Sequence, residues 1–183
     1  MKIVETYSHQ NGLKYLIVHQ PDLWNEVQQV IRQVDANACL TKVSKELRMM
    51  GQLKYSPKDM NKQFMNLLDK KGWHENRVSY WVTGNVKLIR RTLSKTPDEQ
   101  KQEIEGAGET PIYSYNQTDF VKNRVALEVQ FGKYAFVAYD LFVKHLAFYV
   151  QDEIDVGIEI LAISRCKARC LLDPAITKAS YTT

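Results

Sequence analysis

Thr118-Asp119-Phe120-Val121-Lys122-Asn123-Arg124-Val125-Ala126-Leu127-Glu128-Val129-Gln130-Phe131 is the stretch on which the fold turns. It reads as two strands. With Lys122-Asn123 at the centre of a hairpin turn, Asp119 lies opposite Ala126, and residues opposite one another share a face of the sheet. Strand alternation then puts Ala126, Glu128 and Gln130 on the face of Asp119, while Val125, Leu127, Val129 and Phe131 point together to the other. One face suits a core, and the other gathers Asp119, Glu128 and Gln130.

Two carboxylates on one face repel each other unless a cation neutralises them, and an all-oxygen site suits magnesium better than zinc. A metal held there polarises a phosphate and lowers the pKa of a bound water. The spacing by itself is also compatible with Asp119 and Glu128 decorating a solvated strand face.

Downstream of the hairpin, residues 134–150 carry Phe136, Val137, Tyr139, Val143, Leu146, Ala147 and Val150 in a helical pattern. It is apolar on more than one side, as a core helix or a dimer seam would be. His145 lies on it with no partner that the sequence can place, which favours a core or interface position over a catalytic base. A strand follows over 156–163. Upstream, Ser56-Pro57 opens a helix bearing Met60, Phe64, Leu67 and Leu68 that Gly72 stops, and residues 73–82 read as a strand. Residues 85–109 turn charged, with Lys87, Arg90, Arg91, Lys95 and Lys101 on helical segments split at Thr96-Pro97. A solvated face and a DNA-facing surface both fit them. Pro21 opens another helix, with Leu23, Val27, Val30, Ile31 and Val34 recurring at spacings of three and four. Residues 3–7 and 13–19, around Asn11-Gly12, read as a β-hairpin or a strand and loop. The alternation predicts an α/β fold, a central mixed β-sheet flanked by helices.

A chain of 183 residues, 44% hydrophobic, is long enough for one domain with its own core and short for two. Its net charge of +4 and pI near 8.8 are compatible with a polyanionic partner and with many ordinary enzymes. Cys39, Cys166 and Cys170 are an odd count, expected as free thiols; Cys166 and Cys170 lack a second pair or a nearby histidine to complete a zinc site. No apolar run approaches the ~18 residues of a spanning helix, and Met1-Lys2-Ile3-Val4-Glu5 lacks a secretory core, so a soluble, cytoplasmic protein is expected.

Asp119, eight intervening residues, then Glu128-Val129-Gln130-Phe131 resembles the active-site hairpin of the BglII/BamHI-like type II restriction endonucleases. These form a branch of the PD-(D/E)xK nuclease superfamily, and Gln130 stands where the usual final lysine would be. The similarity takes in Met1 to Gly12, Pro21 to Trp24, Lys70-Lys71-Gly72-Trp73, Ser114 to Lys122 and Phe131 to Val150, and covers about residues 1–161. It implies a restriction-endonuclease-like core and a homodimer around a palindromic duplex, each subunit cutting one strand. It further implies cleavage at RGATCY with four-base 5′ overhangs, and a cognate DNA methyltransferase in the host. By the same resemblance Asp119, Glu128 and Gln130 are catalytic, and Asp119, Glu128 and the Val129 carbonyl bind Mg2+. A metal-activated water then attacks phosphorus in line to expel the 3′ oxygen. Gln130 would orient that water, since a neutral amide is no useful general base. Lys133 falls where the resemblance implies a major-groove contact to guanine O6 and N7, with a phosphate contact or an exposed lysine as the alternative. Asn116 and Lys122 are further DNA-facing candidates.

After Leu161 the likeness stops, and residues 162–183 form an atypical tail with little periodicity. A frameshift would account for it: suitable codons for Cys170 to Thr183, read two bases later, give Ser-Ser-Gly-Ser-Gly-Asn-Tyr-Glu-Gly-Glu-Leu-Tyr-Asn, which resembles the family's carboxyl end. An altered tail on an intact hairpin keeps open a catalytically inactive DNA-binding remnant. A repair nuclease on the same fold is the other alternative.

Overall fold

The structure, a computed structural model, describes residues 1–132, 134–162 and 175–181. Lys133, Cys166 and Cys170 lie outside the described residues, as does most of the tail.

The hairpin sits in the middle of a six-stranded sheet. Its strands are β5 (Ile112–Lys122) and β6 (Val125–Gln130), flanked by β4 (His74–Val82) on one side and β7 (Val156–Ala162), β8 (Ala175–Tyr181) and β1 (Lys2–Thr6) on the other, while β2 (Lys42–Val43) and β3 (Leu53–Lys54) form a separate antiparallel pair. β6 and β7 run parallel, as do β1 and β8, and the remaining pairs are antiparallel, so the sheet is mixed as the sequence predicts.

One face of the central strands is closed by two helices. In α2 (Pro21–Gln33) and α3 (Pro57–Asp69) proline occupies the first turn, where its missing N–H has no helical partner to lose. Ser56 Oγ caps α3 by accepting from the Asp59 amide at 3.2 Å. Leu23, Val27, Val30 and Ile31 from α2, with Met60, Phe64 and Leu68 from α3, pack on Val125, Leu127 and Val129 of β6 and on Val156, Ile158 and Ile160 of β7. α4 (Val86–Thr92) and α5 (Pro97–Gly106) lie toward the β4 edge, separated by a capping box at Thr96 and Glu99, and Gln100 Oε1 accepts from the Trp81 amide at 2.8 Å.

The other face is covered by a helical run: a 3-10 turn at Tyr134–Phe136, α6 (Val137–Tyr139), a π-helical stretch Asp140–His145, and α7 (Leu146–Val150). Phe148 is buried here with Ala126, Val78 and Ile154.

Two expectations need correcting. Residues 13–19 are not a strand: Gly12–His19 is helix α1. Its buried positions, Gly12 and Leu16, are spaced by four, while the β-branched Ile17 and Val18, which suggest a strand locally, are exposed. Tyr15 holds the helix to the body of the fold through a 3.0 Å hydrogen bond to Asp155. The hairpin turn is also one residue later than expected. Asn123 and Arg124 carry φ of 46° and 65°, the paired left-handed conformation of a tight hairpin turn, and Phe120, Val121 and Lys122 face Leu127, Ala126 and Val125. Arg124 accepts this backbone because its guanidinium is held by Asp155 at 2.8 Å and Asp152 at 2.6 Å. The register slips by two residues, and an even slip leaves Asp119, Glu128 and Gln130 on one face.

Candidate active site

The site forms where β5 and β6 stop pairing. Beyond the Phe120–Leu127 pair the next residues in register are Asp119 and Glu128, and there the Asp119 amide donates to the Glu128 carboxylate, Oε1, at 3.1 Å instead of to a neighbouring carbonyl. A bulge on the other edge of β5 helps. His74 pairs with Val121 but Asn76 with Thr118, so Asp119 and Phe120 together oppose the single residue Glu75. The extra residue turns Thr118 to the Glu128 side, where its Oγ1 donates to Oε1 at 2.5 Å.

Glu128 is 1% exposed and makes its third contact with Lys144, whose Nζ lies 2.8 Å from Oε1. The same ammonium is 2.8 Å from Asp140 Oδ1, and Asp140 Oδ2 accepts from Gln130 Nε2 at 2.7 Å. Glu128, Lys144, Asp140 and Gln130 are thus linked in one chain of charge-assisted contacts. Burial, reinforced by the nearby negative charge of Asp119, pushes the Glu128 carboxyl up to about 7 against the pull of Lys144. Burial opposes the charge on Lys144, yet Glu128 and Asp140 outweigh it and hold its pKa above the ordinary lysine value. Glu159 of β7, in register with Glu128, is fully buried with neither carboxylate oxygen hydrogen-bonded, and burial with Glu128 and Asp140 nearby pushes it up to about 9.

His145 is buried against the sheet. A Cβ on Gly157 would come within 2.3 Å of its Nδ1, so this close approach requires glycine. Neither ring nitrogen has a hydrogen-bond partner, and burial lowers its pKa to about 3, which keeps it neutral. It is a core histidine, as its helix position suggests.

Of the residues singled out in the sequence, Asp119, Glu128, Val129 and Gln130 line one cleft of about 520 Å³, with Asp119 exposed at its mouth. Lys144 shares the cleft, and Lys42, Lys58 and Asn61 line it as well. A neighbouring groove shares Asp119, Val129, Lys58 and Asn61 and adds Lys62 from the next turn of α3. Asn116 is buried, its Oδ1 accepting from the Tyr139 hydroxyl at 3.0 Å. Lys122 stands at the turn end of the hairpin with its Nζ 2.9 Å from both Glu26 carboxylate oxygens and 2.7 Å from the Lys71 carbonyl, so its charge is engaged inside the fold. Lys133 lies outside the described residues.

Sequence reading missed Thr118, Asp140, Lys144 and Glu159. The last three did leave a signal, as charged residues inside the apolar runs 134–150 and 156–163, but nothing local shows that these interruptions meet. Lys58 and Lys62, four apart on α3, form the basic wall and were equally silent.

A hard divalent cation fits the donor set. Among the described residues no three His, Cys, Asp or Glu side chains form a ready cage, but magnesium is commonly held by one or two carboxylates together with water and substrate phosphate. Asp119 and Glu128 supply two carboxylates at the mouth and floor of one cleft. The surplus of negative charge, Glu128 and Asp140 with Asp119 nearby against one lysine, is what a cation would relieve.

Among the described residues no helix is long and apolar enough to cross a membrane. No curated protein matches the chain. The family model described as restriction endonuclease BglII/BglIII matches residues 4–181, running through the hairpin, both clefts and β8. A carboxylate-bearing hairpin beneath a basic wall is consistent with that match, and the chain belongs to the BglII/BglIII restriction endonuclease family, type II enzymes that cut double-stranded DNA site-specifically.

Proposed function

We propose that the chain is a magnesium-dependent endonuclease of the BstYI kind within this family, acting as a homodimer on the palindrome RGATCY and leaving four-base 5′ overhangs. The observation that carries the catalytic part is that Asp119 and Glu128, the first residues past the last β5–β6 pair, line the mouth and floor of one cleft together with Lys42, Lys58 and Lys144. Asp119, Glu128 and the Val129 carbonyl would hold the ion, which when bound supplies Lewis-acid activation of the scissile phosphate and its attacking water.

The chain's own residues prepare that chemistry. Thr118 Oγ1 and the Asp119 amide fix the Glu128 carboxylate against rotation, each by a hydrogen bond to Oε1. Gln130 is tethered to Asp140 through one amide hydrogen and offers the rest of its amide to water, orienting it without taking its proton. Lys58 and Lys62 attract the phosphodiester backbone to the cleft. Water oxygen would bond to phosphorus as the bond to the 3′ oxygen breaks, the attacking water giving up a proton to solvent and the departing 3′ oxygen taking one from it.

Base reading is assigned to Lys133, by its place in the sequence just after Gln130; Asn116 and Lys122 carry internal hydrogen bonds and would have to surrender them to touch DNA. Dimerisation is assigned to the exposed side of the helical run, where Tyr139, Val143 and Leu146 recur at spacings of four and three and are 46%, 46% and 54% exposed. Such a stripe can meet its own copy across a twofold axis. Leu146→Glu places a charge in that stripe and is expected to shift the protein to monomer by analytical ultracentrifugation; an unchanged dimer moves the interface elsewhere.

The deciding experiment is a magnesium-dependent digest of unmethylated plasmid by the 183-residue chain, with the cut ends sequenced and Glu128→Ala as control. Discrete RGATCY cuts that vanish in the variant are expected. DNA binding without magnesium-dependent cleavage would make the chain an inactive remnant. Preference for branched or damaged DNA would make it a repair nuclease. Codons incompatible with the alternate frame would remove the frameshift account of the tail.

A further inference from the structure

The position held by lysine in the wider nuclease pattern is Gln130 here, yet the site has a lysine, delivered from a different element. Asp140–His145 is π-helical, and its wider turn brings Asp140, Lys144 and His145 all to the buried side. Lys144 is the one cation touching Glu128 among the described residues, and it touches Asp140 equally, at 2.8 Å each. Asp140 is held independently by Gln130. The ammonium therefore has two seats: one on Glu128, the candidate metal ligand, and one on an anchored carboxylate next to it.

We propose that Lys144 is a positioning residue, the resident counter-cation of Glu128, which surrenders Glu128 Oε1 to an incoming divalent cation and stays on Asp140. This rests on the reading of Glu128 as a metal ligand. Without Lys144 the metal-free fold would bury Glu128 and Asp140 beside Asp119 with no positive charge between them, a costly arrangement. With it the fold is neutralised before metal arrives, and part of the metal's binding energy goes into displacing the lysine. Lys144 thus keeps the site assembled and lowers its metal affinity. Asp140 sets how readily the lysine moves.

The test is calorimetric titration of Mn2+ into the full chain without DNA. Glu128→Ala identifies binding at this site. Lys144→Met should bind Mn2+ at least about fivefold tighter than wild type, and metal should raise its melting temperature more. Asp140→Asn, which removes the second seat, should bind more weakly, and that weakening should largely disappear in the double variant. If Lys144→Met does not fold without metal, refolding in Mn2+ and titrating back with chelator gives the same comparison. Lys144→Arg keeps the charge and should stay near wild type. Wild-type binding that Glu128→Ala does not change would overturn the metal-ligand reading itself. Metal binding at Glu128 that is equal or weaker in Lys144→Met would overturn the role of Lys144 alone.

Discussion

The two faces of β6 and β7 are built from alternate residues of the same strands and have opposite chemistry. Toward α2 and α3 stand Val125, Leu127, Val129, Val156, Ile158 and Ile160, all buried in a continuous apolar core. Toward the helical run stand Ala126, Glu128, Gln130, Gly157 and Glu159, with Asp140, Lys144 and His145 pressed against them. The first face is stabilised by removing apolar surface from water, about 25 cal/mol per Å². The second holds charge that burial disfavours, and Glu128 and Glu159 remain there because each rides on a strand anchored by the opposite side. One face carries stability and the other spends some of it on chemistry, and single substitutions can separate the two.

The largest expected effect on stability is on the apolar side. Phe64 is fully buried, its ring 5.6 Å from that of Phe131, and Phe64→Ala should cost about 3–5 kcal/mol in urea unfolding while leaving cleavage per folded molecule near wild type. A loss under about 1 kcal/mol would break the division between the faces.

On the charged side the effect should have the opposite sign. Because the Glu159 carboxyl is pushed up to about 9, the folded protein keeps a proton that the unfolded chain has lost above an ordinary value of 4.5. Stability contributed by that proton is complete at low pH and lost as pH rises from about 4.5 toward 9. Glu159→Gln cannot ionise, so it should raise the melting temperature clearly at about pH 8 and little at about pH 4. A destabilised variant at pH 8 would mean that Glu159 is held ionised by the fold.

The smallest effect is expected at the turn end, away from both faces. Lys122→Met removes a partly exposed ion pair with Glu26 and should cost about 1 kcal/mol or less. The salt dependence of DNA binding should be unchanged, because Lys122 is engaged internally. A reduced salt slope would return Lys122 to the DNA surface.

Much of this arrangement is legible locally. Pro21, Ser56-Pro57 and Thr96-Pro97 mark helix starts through the conformations proline allows and the amides a hydroxyl can cap, and the structure begins α2, α3 and α5 there. The hairpin shows the limit. Its turn was misplaced by one residue, yet Asp119, Glu128 and Gln130 still reached one cleft, since strand alternation survives an even slip. At Gly12–His19 a β-branched run hid a helix because burial of Leu16 outweighs local preference.

The sequence by itself determined the binary pattern of the central strands, the helix starts and the carboxylate pair, because each depends on spacings of a few residues and on backbone sterics. Only the tertiary structure decided what stands opposite that pair. Lys144 reaches Glu128 from sixteen residues away through a π-helical turn, Glu159 arrives through parallel pairing of β6 with β7, and Lys58 comes from α3. Electrostatic contact depends on distance in space, and a chain-local pattern carries no record of which distant charges the packing brings within 3 Å.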